Sequence, residues 1–142
     1  MYQNILVPVD LSDKHSWRKA LPTAIRLAET FEARLHLITV VPGFPLPIVG
    51  QYFPDDFEPK LKQQAAQQLR DFASEQVAHA VPCKRIIAEG KVYQEILRAA
   101  EKVKADLIVM GSHRPELKDF LLGPNAQKVV HHAQCSVMVI RE

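Results

Sequence analysis

The sequence predicts an α/β fold in which a five-stranded parallel sheet carries helices on both faces. Two observations support this. Five short apolar runs alternate with helical stretches along the 142 residues, and an uninterrupted strand, helix, strand order joins parallel strands by right-handed crossovers. One of those runs, Asp106-Leu107-Ile108-Val109-Met110, has the continuous apolar character of a strand buried on both faces. In such a sheet a ligand crevice belongs at the carboxyl ends of the strands, where the winding reverses.

Each element has its own signal. Ile5 to Val9 is a β-rich run that stops at Asp10, with Ser12 and Asp13 placed to cap a helix behind it. That helix is expected from about Lys14 to Thr30, with Trp17, Leu21, Ala24, Ile25 and Ala28 on one face and a kink at Pro22. Trp17 reads as core or rim rather than as a cofactor platform. Arg34 to Val41 is the second strand, followed by a Pro- and Gly-rich stretch with Phe44, Tyr52 and Phe53 that reads either as a lid or as a surface loop. From Asp56 to about His79 a helix is expected, with Leu61, Ala65, Leu69, Phe72 and Val77 inward and the Gln63-Gln64 and Gln67-Gln68 pairs solvated. A third strand over Cys83–Ala88, a helix over Val92–Val103, the strand at Asp106, a helix over Asn125–Ala133 and a last strand over Ser136–Ile140 complete the order.

Composition narrows the function classes. Hydrophobic residues make up 47% and charged residues 24% of the chain, which suits one domain with a real core, residues 1–142. The formal net charge of +2 contains no basic run, so neither nucleic acid nor an anionic membrane is expected as a partner. Cys83 and Cys135 lack metal-ligand spacing and read as free buried thiols. With no charged leader at the first strand and no run of about eighteen apolar residues, the expectation is a cytoplasmic protein.

The chemistry concentrates between Asp106 and Ala133. The apolar strand ends on Gly111, a loop with Ser112, His113 and Arg114 follows, and Gly123 precedes Pro124-Asn125-Ala126 at the start of a helix. Two glycine turns around a basic loop, with unpaired N–H groups at a helix start, suit a phosphate. The same residues also read as a plain strand-to-helix connection, because they form neither a Walker A sequence nor a dinucleotide fingerprint. His131 and His132 fit the negative end of the last helix better than a metal or acid–base role. No catalytic constellation emerges.

These residues carry a family resemblance. The opening Ile5-Leu6-Val7-Pro8-Val9-Asp10, the Met110-Gly111-Ser112-His113 turn, Leu121-Leu122-Gly123 and the closing Cys135 to Val139 stand in the order seen in universal stress proteins. The chain resembles that family throughout its length, and its loop is similar to the short-loop F type. The resemblance implies strand order 3-2-1-4-5 in a Rossmann-like fold of the adenine nucleotide alpha hydrolase-like kind. It also implies an adenine nucleotide (ATP, ADP or AMP), with Mg²⁺ as a possible companion. By transfer, Pro8, Asp10 and Val40 would meet adenine and ribose, Gly111, Gly123, Pro124 and Asn125 would border the phosphates, and Ser112, His113 and Arg114 belong to the same loop. Asp10 also reads as part of the cap before the first helix.

The loop departs from the family's ATP pattern of Gly, two residues, Gly, nine residues, Gly and then Ser or Thr. Arg114 stands at the second glycine, the spacing to Gly123 is one residue shorter, and Pro124 stands where a hydroxyl is expected. Two functions follow: a nucleotide-binding stress protein with at most slow hydrolysis, or a nucleotide-free interaction module. The resemblance further implies a homodimer in which the last strands pair, which lysine at Met138 or Ile140 would disrupt. Gly111→Val is expected to block the ligand while leaving the fold largely intact.

Overall fold

In a computed structural model, residues 1–41, 57–112 and 123–141 are described. The strands are β1 (Asn4–Pro8), β2 (Arg34–Val41), β3 (Cys83–Glu89), β4 (Leu107–Gly111) and β5 (Ser136–Ile140). The helices are α1 (Ala20–Phe31), α2 (Phe57–Gln76), α3 (Val92–Lys102) and α4 (Pro124–His132). All four strand pairings are parallel, in the order β3-β2-β1-β4-β5.

Side-chain alternation along each strand splits the core into two layers. Ile5, Val7, Leu35, Leu37, Leu107 and Val109 pack on one face against Ala24 and Leu21 of α1 and Leu69 and Ala73 of α2. Leu6, Ile38, Ile108 and Met110 pack on the other against Ile96 and Ala99 of α3 and Ala126 and Val129 of α4. Alanines on α1, α3 and α4 let those helices lie close to the sheet. The Asp106 carboxylate binds the amino ends of two neighbouring strands, accepting the Gln3 N–H at 2.8 Å and the Asn4 N–H at 3.1 Å.

The first helix differs from its expected span. Lys14–Ser16 forms a separate 3-10 turn, and α1 begins at Ala20. Asp13 does cap, but it caps this turn, its side chain accepting from the His15 N–H at 3.0 Å. The expected kink loses its basis because Pro22 falls in the first turn of α1, where N–H groups have no intrahelical acceptor. Trp17 ends the 3-10 turn and meets Phe72 of α2 edge-to-face at 4.8 Å, so it is a core and rim residue. The second helix begins one residue later and ends earlier than expected, β3 runs one residue further, and α4 starts at Pro124. Gln63, Gln64, Gln67 and Gln68 are exposed, as expected.

Gly111 has a packing role that the sequence did not announce. A Cβ there would stand 3.0 Å from the His15 carbonyl oxygen and 3.1 Å from that of Ser16. The missing side chain therefore admits the backbone of the 3-10 turn. Since both obstacles are main-chain atoms, they cannot rotate away. The expected indifference of the fold to Gly111→Val is corrected accordingly. Even Gly111→Ala is expected to destabilise the protein by about 1–3 kcal/mol through overpacking, measured as a lower denaturation midpoint in urea; an unchanged midpoint would show that the turn yields freely.

His36 on β2 is 3% exposed. Its Nε2 lies 3.0 Å from Asn4 Oδ1, an atom that only accepts, so Nε2 carries the proton and Nδ1 is left as a buried acceptor with no partner. Burial, reinforced by the Lys84 and Arg34 charges, lowers its pKa. The unfolded chain, with histidine near 6.5, then takes up a proton before the folded one does. Stability contributed by the neutral ring is complete above that pH and declines as the pH falls below it. Thermal melts between pH 7.5 and 5 should show a shallower decline for His36→Gln than for the native chain; parallel curves would assign the acid sensitivity to other groups.

Candidate functional site

The site arises where two strands part. β1 and β4 pair only at Ile5↔Leu107 and Leu6↔Ile108. Beyond that point β1 follows β2 as far as Pro8↔Ile38, and β4 follows β5 as far as Gly111↔Ile140. Each divergence is pinned. Val9 N–H donates to the Ile38 carbonyl at 2.8 Å, and the Thr39 hydroxyl donates to the Val9 carbonyl at 2.9 Å. On the other side the Ser112 N–H donates to the Ile140 carbonyl at 3.1 Å. The gap between them is the switch-point crevice of a doubly wound sheet.

A cavity of about 410 Å³ fills this crevice. Of the residues expected at the site, Pro8, Asp10, Val40, Gly111, Ser112, Gly123, Pro124 and Asn125 all line it. His113 and Arg114 lie outside the described residues. The long stretch after β2, read as lid or loop, also lies outside them. Ser12, Asp13, Ser16, Thr39, Val92 and Ile96 line the cavity as well, and sequence reasoning did not place them there. Ser12 and Asp13 were legible only as caps. Val92 and Ile96 arrive from α3, which is aimed by the Gly90 turn: its φ of 138° suits glycine, and its N–H donates to the Val41 carbonyl at 3.1 Å.

The walls are chemically distinct. Ile38, Val40, Val92, Ile96 and Met110 form an apolar wall suited to a flat ring system. Opposite them is a folded acidic turn. Asp10 Oδ1 accepts the Ser12 N–H at 3.0 Å and the Ser12 hydroxyl at 2.7 Å, while the Ser16 hydroxyl lies 2.9 Å from the Asp10 nitrogen and 2.8 Å from the Asp13 carbonyl. Asp10 is thus both the end of a strand and the head of an Asx turn, so its two sequence readings hold together. The third wall is the start of α4, where Gly123 is the N-cap with no side-chain hydrogen bond and Pro124 follows it. The remaining N–H groups of that first turn have no intrahelical acceptor and suit an anion.

Among the described residues no cysteine, histidine or lysine lines these walls. Cys83 on β3 and Cys135 just before β5 are free thiols, half-buried rather than fully buried as expected, and burial raises the pKa of each. His131 and His132 lie in the last turn of α4 and do not line the crevice. No group of three or more His, Cys, Asp or Glu among the described residues is arranged to hold a metal ion.

Comparison with known proteins agrees with this fold. The universal stress protein family model matches residues 1–141. The chain is 32% identical over 143 residues to universal stress protein G of Escherichia coli O157:H7, covering 99% of this chain and 100% of that protein. Universal stress protein UspA from Lactobacillus plantarum superposes with a TM-score of 0.76 at 29% identity, covering 99% and 98% of the two chains. A universal stress protein solved in complex with cAMP (22% identical, TM-score 0.62, 99% and 97% covered) and one from Archaeoglobus fulgidus solved with dAMP (18%, 0.65, 98% and 98%) share the fold. The chain belongs to the universal stress protein family.

Proposed function

We propose that this protein binds an adenine nucleotide in the crevice between β1 and β4 and acts in the cytoplasmic stress response through nucleotide-dependent or oligomeric interactions. One observation carries the reading: eight residues separated by up to 117 positions in the sequence, from Pro8 to Asn125, converge on one cavity between an apolar wall and an open helix start. The adenine ring lies along Val40 and its apolar neighbours, the Asp10 carboxylate meets the ribose hydroxyls, and phosphate faces the first turn of α4. Mg²⁺, if it accompanies a polyphosphate, would be held by the Asp10 and Asp13 carboxylates and would offset the charge of the phosphates. Two family members of the same fold were solved with cAMP and dAMP, which supports an adenine nucleotide as the ligand class.

The second reading is a nucleotide-free interaction module. Pro124 at the first helical position favours it, because proline withholds one N–H from the anion and Gly123 supplies no hydroxyl. Mass spectrometry of gently purified protein should find co-purified adenine nucleotide, and equilibrium dialysis should show uptake. A protein that carries none and takes up no adenine compound at millimolar concentration would favour the module.

Assembly follows from the two sheet edges. β3 exposes Lys84 and Arg85, charges that blunt an edge. β5 is Ser136-Val137-Met138-Val139-Ile140, without a charge. We take β5 as the edge that pairs with a second copy about a twofold axis, an isologous contact that closes on itself. The lysine substitutions expected from sequence are a poor test, because Met138 and Ile140 pack against the α1 and α2 layer. The Ile140 carbonyl accepts from Ser112 beside β4, so by alternation Val137 and Val139 turn their backbone groups to the free edge. Val139→Pro should therefore give a folded monomer in sedimentation velocity, since proline is tolerated on an edge yet cannot donate to a partner. A native chain that already sediments as a monomer at tens of micromolar would exclude this dimer.

A further inference from the structure

A second cavity lies at the opposite end of the sheet from the crevice. Its volume is about 390 Å³, and it opens between the last turns of α3 and α4, beside Ala105 and Cys135, which lead into β4 and β5. Small-molecule sites span about 300–1,000 Å³, so this cavity is large enough for a ligand of its own. The chain passes outside the described residues after Val41 and Ser112, at the carboxyl ends of β2 and β4, which is the crevice's end of the molecule.

Opposite charges line this cavity without pairing. Glu101 of α3 and Lys104 just beyond it are three positions apart, a spacing at which side chains on a continuous helix are neighbours. Yet among the described residues neither has an ion-pair partner. The backbone at Lys104 is the reason. Its φ is 56°, in the left-handed region that glycine usually fills at a helix end. The Lys104 and Ala105 N–H groups close α3 onto the Glu101 and Ala100 carbonyls at 3.2 and 2.8 Å. This turn takes Lys104 off the helix row that holds Glu101, leaving a gap between the two charges. A lysine kept where glycine is easier points to a use outside folding.

The remaining walls suit a small polar molecule with an apolar part. Leu97, Ala100 and Ala133 supply apolar surface, and Gln134 an amide. His132, also in the lining, is oriented by its neighbours: its ring stacks on Tyr93 at 6.3 Å and 25° and meets His131 edge-on at 4.7 Å. At the end of α4 the Ala133 N–H returns to the Val129 carbonyl at 2.8 Å. The carbonyls beyond Val129 have no intrahelical partner and, at the negative end of the helix, suit an ammonium. Because Glu101 and Lys104 cancel, a ligand of one sign alone would leave the opposite charge unanswered.

We infer that this cavity is a second ligand site, for a small zwitterion of the α-amino acid class. The Lys104 ammonium meets its carboxylate, Glu101 and the end of α4 meet its ammonium, and its side chain lies on Leu97 and Ala100. The inference does not depend on the adenine-nucleotide reading.

The test is ¹H–¹⁵N NMR of the full chain titrated with L-leucine, L-phenylalanine and L-glutamine to tens of millimolar. At least one should shift the Glu101, Lys104 and Gln134 amides and leave that of Gly111 in place. The N-acetyl and carboxamide derivatives of the amino acid that binds, which lack the ammonium and the carboxylate, should each bind at least about tenfold more weakly. Lys104→Gly should match or exceed the native chain's stability in urea, since it relieves the left-handed backbone, yet lose at least about tenfold in affinity. Lys104→Asn, which also tolerates that backbone, replaces it should the first variant fail to fold. No shift at those amides with any of the three, or shifts confined to the crevice, overturns the site. Undiminished binding of either derivative overturns the zwitterion class, and native affinity in a folded Lys104 variant overturns the role of the strained lysine.

Discussion

The burial of β1 on both faces is the constraint on which the other elements depend. Ile5, Leu6 and Val7 are each fully buried, and side chains of this kind contribute about 1.5–3 kcal/mol each when removed from water. That gain requires helices on both sides of one strand. α1 and α2 supply one layer, and α3 and α4 the other. Crossovers of one hand can place helices on opposite faces only if the winding reverses at β1. The crevice at its carboxyl end is a consequence of filling the core twice, and would exist whether or not anything bound there.

Gly111 couples that crevice to the first layer. The carbonyls of His15 and Ser16 approach β4 so closely that a methyl group would strike them. The 3-10 turn they belong to also carries the hydroxyl of Ser16, which closes the Asp10–Asp13 loop. One absent Cβ thus lets the end of β4 set the position of the acidic wall, although the acids themselves lie at the other strand's end.

The sheet was legible in the sequence because burial on two faces leaves continuous apolar runs, and all five strands fall within a residue or so of where those runs stand. The separation of the 3-10 turn from α1 was not. Trp17 stands at helical spacing from Leu21 and Ala24, so periodicity extends the helix through it, whereas the hydrogen bonds of Asp13 and Ser16 break the helix there. In the site, residues at strand ends were readable from the topology. Val92 and Ile96 were not, since their approach depends on the backbone angle of Gly90 and on the buried Glu95 carboxylate beside it, paired with Arg98 at 2.6 Å. A one-dimensional pattern holds no signal for such an angle. The packing role of Gly111 was missed for a related reason: sequence marks a glycine as a place of close approach but does not say everything that approaches.

Local rules are broken where the crevice opens, and the breaks share a direction. A serine or aspartate at the N-cap of α4 would stabilise the helix by only a few tenths of a kcal/mol over glycine, and Gly123 stands there without a capping bond. A capping side chain would occupy the N–H groups that now face the cavity. Val92 is 40% exposed at a position where a polar first-turn residue would serve the helix better, and it adds to the apolar wall instead. Pro124 also fits the first helical position well, but it trims the number of donors. Helix stability has been given up at the cap and recovered at the next residue. The outcome is a helix start that opens on the cavity, which also holds acids fixed in place by their own turn.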